Sequence, residues 1–308
     1  GQGVGAHFRP VRRTAMHDWH IAQGAEMMAA GIWERPRIYG QPGETVEQAY
    51  VREARHVRAA AGIADVSTLG KIDVQGPDAA EFLNRVYSNG FLKLPEGKAR
   101  YGLMLREDGF LWDDGTTWRL GETQFLMTTT TANAAPVLNQ LEFLLAAVWP
   151  ELKVVVTSVT EQWAAMAVSG PKSRDVLAAA LDDIDMSGEA FPFMGVRRAK
   201  LDGVPVLVAR LSFSGELAYE VYVGAHYGEA AWQRLLEAGK PFDLQPYGLE
   251  ALGTLRIEKG HVAGPELDGR TTAEDLGLAG MVSTKKHFIG SAMHQREGDV
   301  LLQGRAVG

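Results

Sequence analysis

KIDVQGPDAAEFLNRVYSN, Lys71 to Asn89, and AAMAVSGPKSRDVLAAAL, Ala164 to Leu181, are one plan written twice. Each begins as a strand, turns at a Gly-Pro corner (Gly76-Pro77, then Gly170-Pro171) and continues as an amphipathic helix. Proline is expected in the first turn of each helix, where its missing N–H is not needed. Each copy then runs into hairpins, Arg100 to Thr130 and Val204 to Val223. The chain therefore reads as an internal duplication of an α+β unit.

Working outward, residues 1–44 read as a linker and an irregular N-terminal arm bearing Trp19, Trp33 and Pro36; 45–160 is the first α+β unit and 161–308 the second. Thr45-x-x-Gln48 is a capping box that opens a helix through about Ala60. Further helices are expected at about Glu229 to Ala238, Leu249 to Lys259 and Ser291 to Glu297, with a strand-like LAGMVS from Leu278. The chain starts without methionine in a Gly-rich stretch and is expected to be a fragment of a larger polypeptide.

With 308 residues and 46% hydrophobic content, the chain can build a full core. A net charge of −7 argues against nucleic acid or an acidic membrane surface as the main partner. The absence of cysteine excludes disulfides, thiolate nucleophiles, zinc thiolate sites and iron–sulfur ligation, and fits a cytoplasmic location. No stretch approaches 18 uncharged apolar residues, so no membrane span is expected.

The stretch RYGLMLREDGFLWDDG, Arg100 to Gly115, carries the chemistry. Tyr101, Leu103 and Leu105 alternate on one strand, Asp108-Gly109 makes a tight turn, and Phe110, Trp112, Asp114, Thr116 and Trp118 alternate on the return. Asp114 then shares a face with three large aromatics. A carboxylate there loses hydration unless a cation or hydrogen-bond donor meets it, and Asp113 adds like-charge repulsion. Either the pair is poised for chemistry, or it caps a turn or holds a buried arginine.

Other motifs carry less. Gly1-x-Gly3-x-Gly5 follows no strand and reads as a linker. His17 and His20 have neither an acidic partner at helical spacing nor a third ligand, so no metal site is expected. SFSGE at Ser212 lacks the frame of a nucleophile elbow.

AGIADVSTLGKIDVQGP, GKARYGLMLREDGFLWDDG, VSGPKSRDVL, LSFSGELAYEVYV, YGLEALGTLRIEKG and DLGLAGMVSTKKHFIG, in this order, resemble the folate-binding aminomethyltransferase family of the glycine-cleavage T-protein. Within that family, STLGKIDVQGPDAAEFLNRVYSN, RYGLMLREDG and SVTEQWAAMAVSGPKSRDVL look most like the C-terminal half of the α subunit of heterotetrameric sarcosine oxidase. The resemblance covers nearly the whole chain. It implies an α+β fold of duplicated, ferredoxin-like sheet-and-helix units around a folate channel, with the family's C-terminal barrel absent or truncated.

Carried over residue by residue, the family's G-x-x-D-D motif puts the catalytic carboxylate at Asp114, beside the reacting nitrogens of tetrahydrofolate, with Asp113 next to it. Tyr101 is the pocket tyrosine and Glu220 the glutamate on the pterin edge. The strand pattern alone would leave Glu220 in solvent, because Ala218, Glu220 and Tyr222 form the less apolar face. A carboxylate suits the pterin edge, where an amino group and a ring N–H present two parallel donors. Phe193, Phe213 and Leu69 are candidate apolar walls. Ser212-Phe213 replaces the family's Gly-Tyr, Thr68-Leu69 its His-Met, and Leu252 its arginine, which favours the sarcosine-oxidase branch over glycine cleavage.

The resemblance implies tetrahydrofolate-dependent one-carbon transfer. The iminium product of N-methyl amine oxidation, sarcosine being the type substrate, becomes 5,10-methylenetetrahydrofolate, and flavin-bearing sarcosine oxidase subunits are the partners. FAD, FMN or NAD would sit only on other parts of that assembly. Two alternatives stay open: a stand-alone aminomethyltransferase or folate-dependent demethylase, and a non-catalytic folate-binding assembly module. Members of the latter class carry Lys-Gly-Cys where this chain has Lys259-Gly260-His261.

Overall fold

The two Gly-Pro corners adopt the same backbone path. Gly76 takes φ +142° and Gly170 φ +117°. Each glycine carbonyl accepts the N–H three residues on, from Ala79 at 3.1 Å and from Ser173 at 3.0 Å. Asp78 and Lys172 follow at (−100°, 11°) and (−94°, 4°) as helix N-caps. These are the dihedrals of the third position of a type I turn, whose second position prefers proline. Pro77 and Pro171 therefore precede the caps instead of standing in the first helical turn, as the sequence suggests: proline's fixed φ is used by the turn. A Cβ at Gly170 would lie 2.4 Å from the Val57 carbonyl oxygen and 2.6 Å from that of Ala60; at Gly76 it would lie 2.0 Å from that of Lys153.

The structure, a computed structural model, describes residues 12–294. In chain order come α1 (His17–Ala22), β1 (Ala25–Ala30), β2 (Trp33–Tyr39), α2 (Val46–Ala59), β3 (Ala61–Asp65), β4 (Gly70–Gln75), α3 (Ala79–Val86), β5 (Lys98–Leu105), β6 (Leu111–Arg119), β7 (Gln124–Thr129) and α4 (Ala134–Phe143). A π-helical turn, Leu144–Val148, extends α4. Then follow β8 (Val155–Ser158), β9 (Trp163–Ser169), α5 (Ser173–Ala180), β10 (Leu181–Asp182), β11 (Val196–Leu201), β12 (Val204–Ala209), β13 (Ala218–Gly224), α6 (Gly228–Gly239), β14 (Leu244–Pro246) and α7 (Leu249–Lys259). No helix among the described residues is long and apolar enough to cross a membrane.

Two compact units result, interleaved along the chain. Unit 1 takes the described residues through Leu69 together with Thr160–His261, and unit 2 takes Gly70–Val159 and the segment from Val262. Their boundaries do not coincide with the sequential halves 45–160 and 161–308. The reason is strand pairing: β3 joins β9 antiparallel, from Gly62 opposite Ser169 to Asp65 opposite Met166, and so draws the preceding residues into unit 1. In unit 2, Val262, Leu267, Ala273 and Phe288 bury against Leu103, Leu105 and Leu111.

Unit 1 holds a seven-stranded sheet in the order β10-β11-β12-β13-β9-β3-β14, and unit 2 a five-stranded sheet in the order β5-β6-β7-β4-β8. Within each, a strand and helix (β9-α5 or β4-α3) lead to a meander (β11-β12-β13 or β5-β6-β7) whose last strand pairs with the first. In unit 1, Val176, Leu177, Trp232 and Leu235 of α5 and α6 pack on Ile63, Met166, Val168 and Val221. A second cluster, Val57, Ala64, Ala251 and Leu255, joins α2 and α7 to the sheet. In unit 2, Phe82, Leu83, Val137 and Leu141 of α3 and α4 cover Ile72, Val74, Phe125 and Met127.

Three local expectations change. The arm expected to be irregular holds α1 and the β1-β2 hairpin, with Trp33, Ile38 and Tyr39 buried. Pro36 fits because the register shifts beside it, Glu26 pairing with Ile38 but Met27 with Pro36. LAGMVS forms a 3₁₀ turn, Ala279–Met281, which turns Leu276, Leu278, Met281 and Val282 onto one apolar cluster. The helix expected from Ser291 starts there, while its end at Glu297 and the Gly-rich residues 1–5 lie outside the described residues. The Thr45/Gln48 capping box forms, with both reciprocal bonds present.

The corners allow a direct test. Gly170→Ala should destabilise the chain by about 3 kcal/mol, since strain and a backbone clash add, while Gly203→Ala, at φ +81° with nothing within 4 Å of a Cβ, should cost about 1 kcal/mol. Urea denaturation of both variants measures the difference.

Candidate active site

The β5-β6 hairpin turns at Asp108-Gly109 as expected, with Gly109 at φ +92° and its N–H donating to the Arg106 carbonyl at 3.0 Å. Beyond the turn an extra residue enters: Leu105 opposes Leu111, but Met104 opposes Asp113. Trp112 is that residue, and a bulge of this kind resets which side chains share a face. Leu111 joins Leu103 and Leu105 in one cluster, whereas Trp112 packs beside Met104 in the other. The expected row of Phe110, Trp112 and Asp114 is thus broken. Asp114, opposite Leu103, keeps Thr116 and Trp118 on its face.

Asp113 points toward α4 and is fully buried. Its oxygens accept from Thr130 Oγ1 at 2.6 Å, Thr130 N at 3.3 Å and Asn133 Nδ2 at 3.2 Å. Asn133 also donates to the Trp112 carbonyl at 3.0 Å, so the residue at the N-cap of α4 ties down the bulge instead of capping its helix. Burial, helped by the charge of Asp114, outweighs these donors and lifts the Asp113 carboxyl to about 7.

Asp114, on the opposite face, is 9% exposed and accepts from Tyr101 Oη at 2.7 Å. Burial raises its carboxyl to about 6; the Tyr101 hydroxyl opposes the rise and the charge of Glu266 adds to it. The Tyr101 phenol is driven far above its ordinary range, first by burial and then by Asp114, so it stays a donor. Next along this face, Thr128 Oγ1 donates to the Thr116 carbonyl at 2.9 Å, and Thr128 opposes Lys71, which is fully buried. Asn89 Nδ2 donates to the Tyr101 carbonyl at 2.8 Å, and its buried Oδ1 has no partner among the described residues.

Unit 2 therefore brings Asp113, Asp114 and Tyr101 together, while Leu69, Phe193, Phe213 and Glu220 belong to unit 1. Glu220, in β13, accepts from Tyr222 Oη at 3.1 Å and lies opposite Ala167, which in turn lies opposite Ala64. Its strand face is not the solvated one that the pattern suggests: Ala218 and Tyr222 are buried, and Ala64, two strands along the same row, packs with α2 and α7. Phe213 is half exposed and stacks on His261, whose Nδ1 donates to the Phe213 carbonyl at 2.8 Å. Phe193 is 56% exposed, and Leu69 ends a turn with its N–H donating to Val66 O at 3.3 Å. His20 has both ring nitrogens engaged, by Tyr39 Oη at 2.8 Å and Asp65 Oδ2 at 3.2 Å.

The sequence reading missed Lys71, Asn89, Thr128, Thr130 and Asn133. Lys71 stands with Asp73 and Gln75 on the polar side of an alternating strand, the pattern of a solvated face. Thr130 and Asn133 reach Asp113 from 17 and 20 residues away, beyond any local periodicity.

Comparison with known proteins gives the family. The family described as GCVT N-terminal domain matches residues 16–286. The chain belongs to this family. As a GCVT domain it is 53% identical to sarcosine oxidase subunit alpha of Rhizobium meliloti (strain 1021) over 302 residues, which are 97% of the chain and 30% of that protein. It is 35% identical to an aminomethyltransferase of Streptomyces coelicolor, over 92% of the chain and 73% of the relative. The crystal structure of glycine cleavage system aminomethyltransferase T from Bartonella henselae superposes with TM-score 0.80 at 25% identity, covering 94% of this chain and 75% of that one. The GCVT domain described here thus spans under a third of the length of the sarcosine oxidase relative, and most of the aminomethyltransferase.

Because the Asp114 carboxyl titrates higher when folded than when unfolded, its stabilising contribution is complete below the unfolded value near 4 and is lost as pH rises through about 6. Asp114→Asn keeps an acceptor for Tyr101 and should be more stable than the parent by about 1–3 kcal/mol at pH 8, with the advantage gone at pH 4. Denaturant titrations from pH 4 to 8 test this.

Proposed function

We propose that this chain is the folate-dependent one-carbon transfer domain of a sarcosine oxidase α subunit. In this reading it receives the iminium product of N-methyl amine oxidation and delivers its carbon to tetrahydrofolate as 5,10-methylenetetrahydrofolate. The observation that carries the reading is Asp114: a carboxylate poised at about 6, held by one phenol, at the second aspartate of the family's motif. The two α+β units are read as ferredoxin-like duplicates. Amine oxidation falls to flavin-bearing partner subunits of a cytoplasmic assembly, and FAD, FMN or NAD to parts of it beyond this domain.

The donor set suits a reduced pterin. Glu220 offers two acceptor oxygens to the paired amino and ring N–H donors, from a strand position whose row continues through Ala167 and Ala64. Tetrahydrofolate supplies two nucleophilic nitrogens. In this reading Asp114 would take the proton that leaves as a nitrogen bonds to carbon, and its raised carboxyl would let it accept and return that proton near neutral pH. Its negative charge also stabilises cationic species, and such a group contributes about 10²–10⁴-fold to rate. Tyr101 fixes the Asp114 oxygen by its 2.7 Å bond. Leu69, Phe193 and Phe213 provide the apolar walls, and Asp113 anchors the hairpin through Thr130 and Asn133.

Leu252, 9% exposed within the α7 cluster, supports this branch over a stand-alone aminomethyltransferase, because that position cannot offer the family's arginine. Calorimetric titration of tetrahydrofolate into the chain should show micromolar binding, weakened by about 1.5–3 kcal/mol in Glu220→Ala. No heat from the parent chain, with its fold verified by circular dichroism, would sink the proposal. With flavin-bearing subunits of a sarcosine oxidase added, Asp114→Ala should slow folate-dependent capture by about 10²-fold or more and leave amine oxidation nearly intact. Equal loss of both activities would count against the division of labour.

A further inference from the structure

The open end of the β5-β6 hairpin gathers cations that the chemistry above does not use. Lys98 of β5 stands directly opposite Arg119 of β6, and Arg100 follows two residues along on the face of Lys98. Like charges placed opposite one another on neighbouring strands repel, so this pairing destabilises the sheet unless something offsets it. Arg119 also holds the loop that carries Lys93: its guanidinium donates to the Leu94 carbonyl at 2.8 Å and to the Glu122 carbonyl at 2.7 Å. Arg100 donates to the Gly90 carbonyl. The Phe91 ring centre lies 5.9 Å from the Arg100 guanidinium, and that of Phe125 lies 5.2 Å from the Arg119 guanidinium. Carbonyls and ring faces thus fix both groups in place without cancelling their charge.

No carboxylate of the chain answers this cluster. Among the described residues, none of Lys93, Lys98, Arg100 and Arg119 has a carboxylate oxygen within 4 Å, whereas Arg85, on α3 of the same unit, pairs with both Glu81 and Glu151. Glu96 and Glu122, exposed in the adjoining loops, make no ion pair among the described residues either. In a chain of net charge −7 the cluster is a local reversal of sign. An edge strand often carries a lysine that blocks unwanted pairing, and β5 is the edge of its sheet. That accounts for Lys98. It does not account for Arg119, one strand further in, or for Lys93 on the loop.

We infer that this corner of unit 2 is a docking surface for an acidic, extended segment of a partner polypeptide. A segment laid along the β5 edge places every second side chain about 7 Å apart, the separation of Lys98 and Arg100 on their strand face, so carboxylates at alternate positions meet both. Arg100 has one nitrogen engaged by Gly90 and keeps further N–H groups of its fork for a carboxylate. Because its guanidinium is already held against Phe91, little more order is lost on binding. Lys93 and Lys98 add charge that steers the approach. The same hairpin carries Tyr101 and Asp114, and a partner docked at Lys98 stands about 10 Å along β5 from Tyr101.

The test is the fluorescence anisotropy of a labelled peptide of alternating glutamate and serine, about eight residues long, titrated with the full chain and with variants checked by circular dichroism. Binding should appear at about 0.05 M salt and weaken about tenfold by about 0.5 M; it should also weaken about tenfold in Lys98→Glu and about fivefold in Lys93→Glu. Lys240→Glu, in unit 1, changes the net charge equally and should leave the affinity within about twofold. No binding by the parent chain, or equal weakening in Lys240→Glu, overturns the inference. Lys98→Ser isolates the edge: new self-association in sedimentation, with peptide binding unchanged, assigns Lys98 to blocking the edge and overturns the inference as well. Should Lys98→Glu fail to fold, Lys98→Gln decides in its place, with a loss of about threefold expected.

Discussion

A carboxylate kept out of water and held by the Tyr101 hydroxyl is the constraint around which unit 2 is arranged. Asp114 retains 9% exposure and accepts from Tyr101 Oη and from its own backbone N–H. Its neighbour has more donors and fares no better: Asp113, with Thr130 and Asn133 bound to it, still rises to about 7. Burial is the largest cause for both, and donors only moderate it. The pair avoids the worst of its mutual repulsion because a pleated strand sends consecutive side chains to opposite faces. One carboxylate is committed to structure, and the other is left chemically available.

The sheet enforces that division. The helix-side face of β4, β6 and β7 is sealed by Phe82, Leu83, Val137 and Leu141, and there Asp113 is locked to the start of α4. The opposite face carries Tyr101, Asp114, Thr116, Thr128 and Lys71 across neighbouring strands. Without the bulge at Trp112 the parity of β6 would reverse relative to the apolar turn residues, and Leu111 could not join Leu103 and Leu105. Unit 1 follows a related logic at Glu220. Glu220 stands between the buried Ala218 and Tyr222 on its strand face, and the Tyr222 hydroxyl donates to it.

Much of the fold is legible in local sequence. The Gly-Pro corners, the capping box at Thr45 and the Asp-Gly turn depend on a few adjacent residues with restricted dihedrals, and all three form. The helices expected at about 229–238 and 249–259 form as Gly228–Gly239 and Leu249–Lys259. Pro36 misled because a proline marks irregular chain only when no bulge receives it. LAGMVS misled because its apolar spacing also suits a 3₁₀ turn, and tertiary contact chose the turn. At the site, adjacent aspartates on an apolar hairpin were visible as a candidate, but the donors to Asp113 and the burial of Lys71 were not, since they come from other strands.

The sequence by itself determined what short-range sterics and periodicity govern: a duplicated strand-corner-helix plan, the hairpin at Gly109 and a pair of carboxylates drawn out of water. Tertiary structure decided which carboxylate faces which side, since one inserted residue at Trp112 changes the alternation and only the opposing strand's register reveals it. It also decided how the chain divides, because β3 pairs with β9, far along the sequence, and not with its neighbour β4. Dihedral preferences are paid residue by residue and leave local marks, whereas strand pairing and desolvation depend on what arrives from elsewhere in the chain.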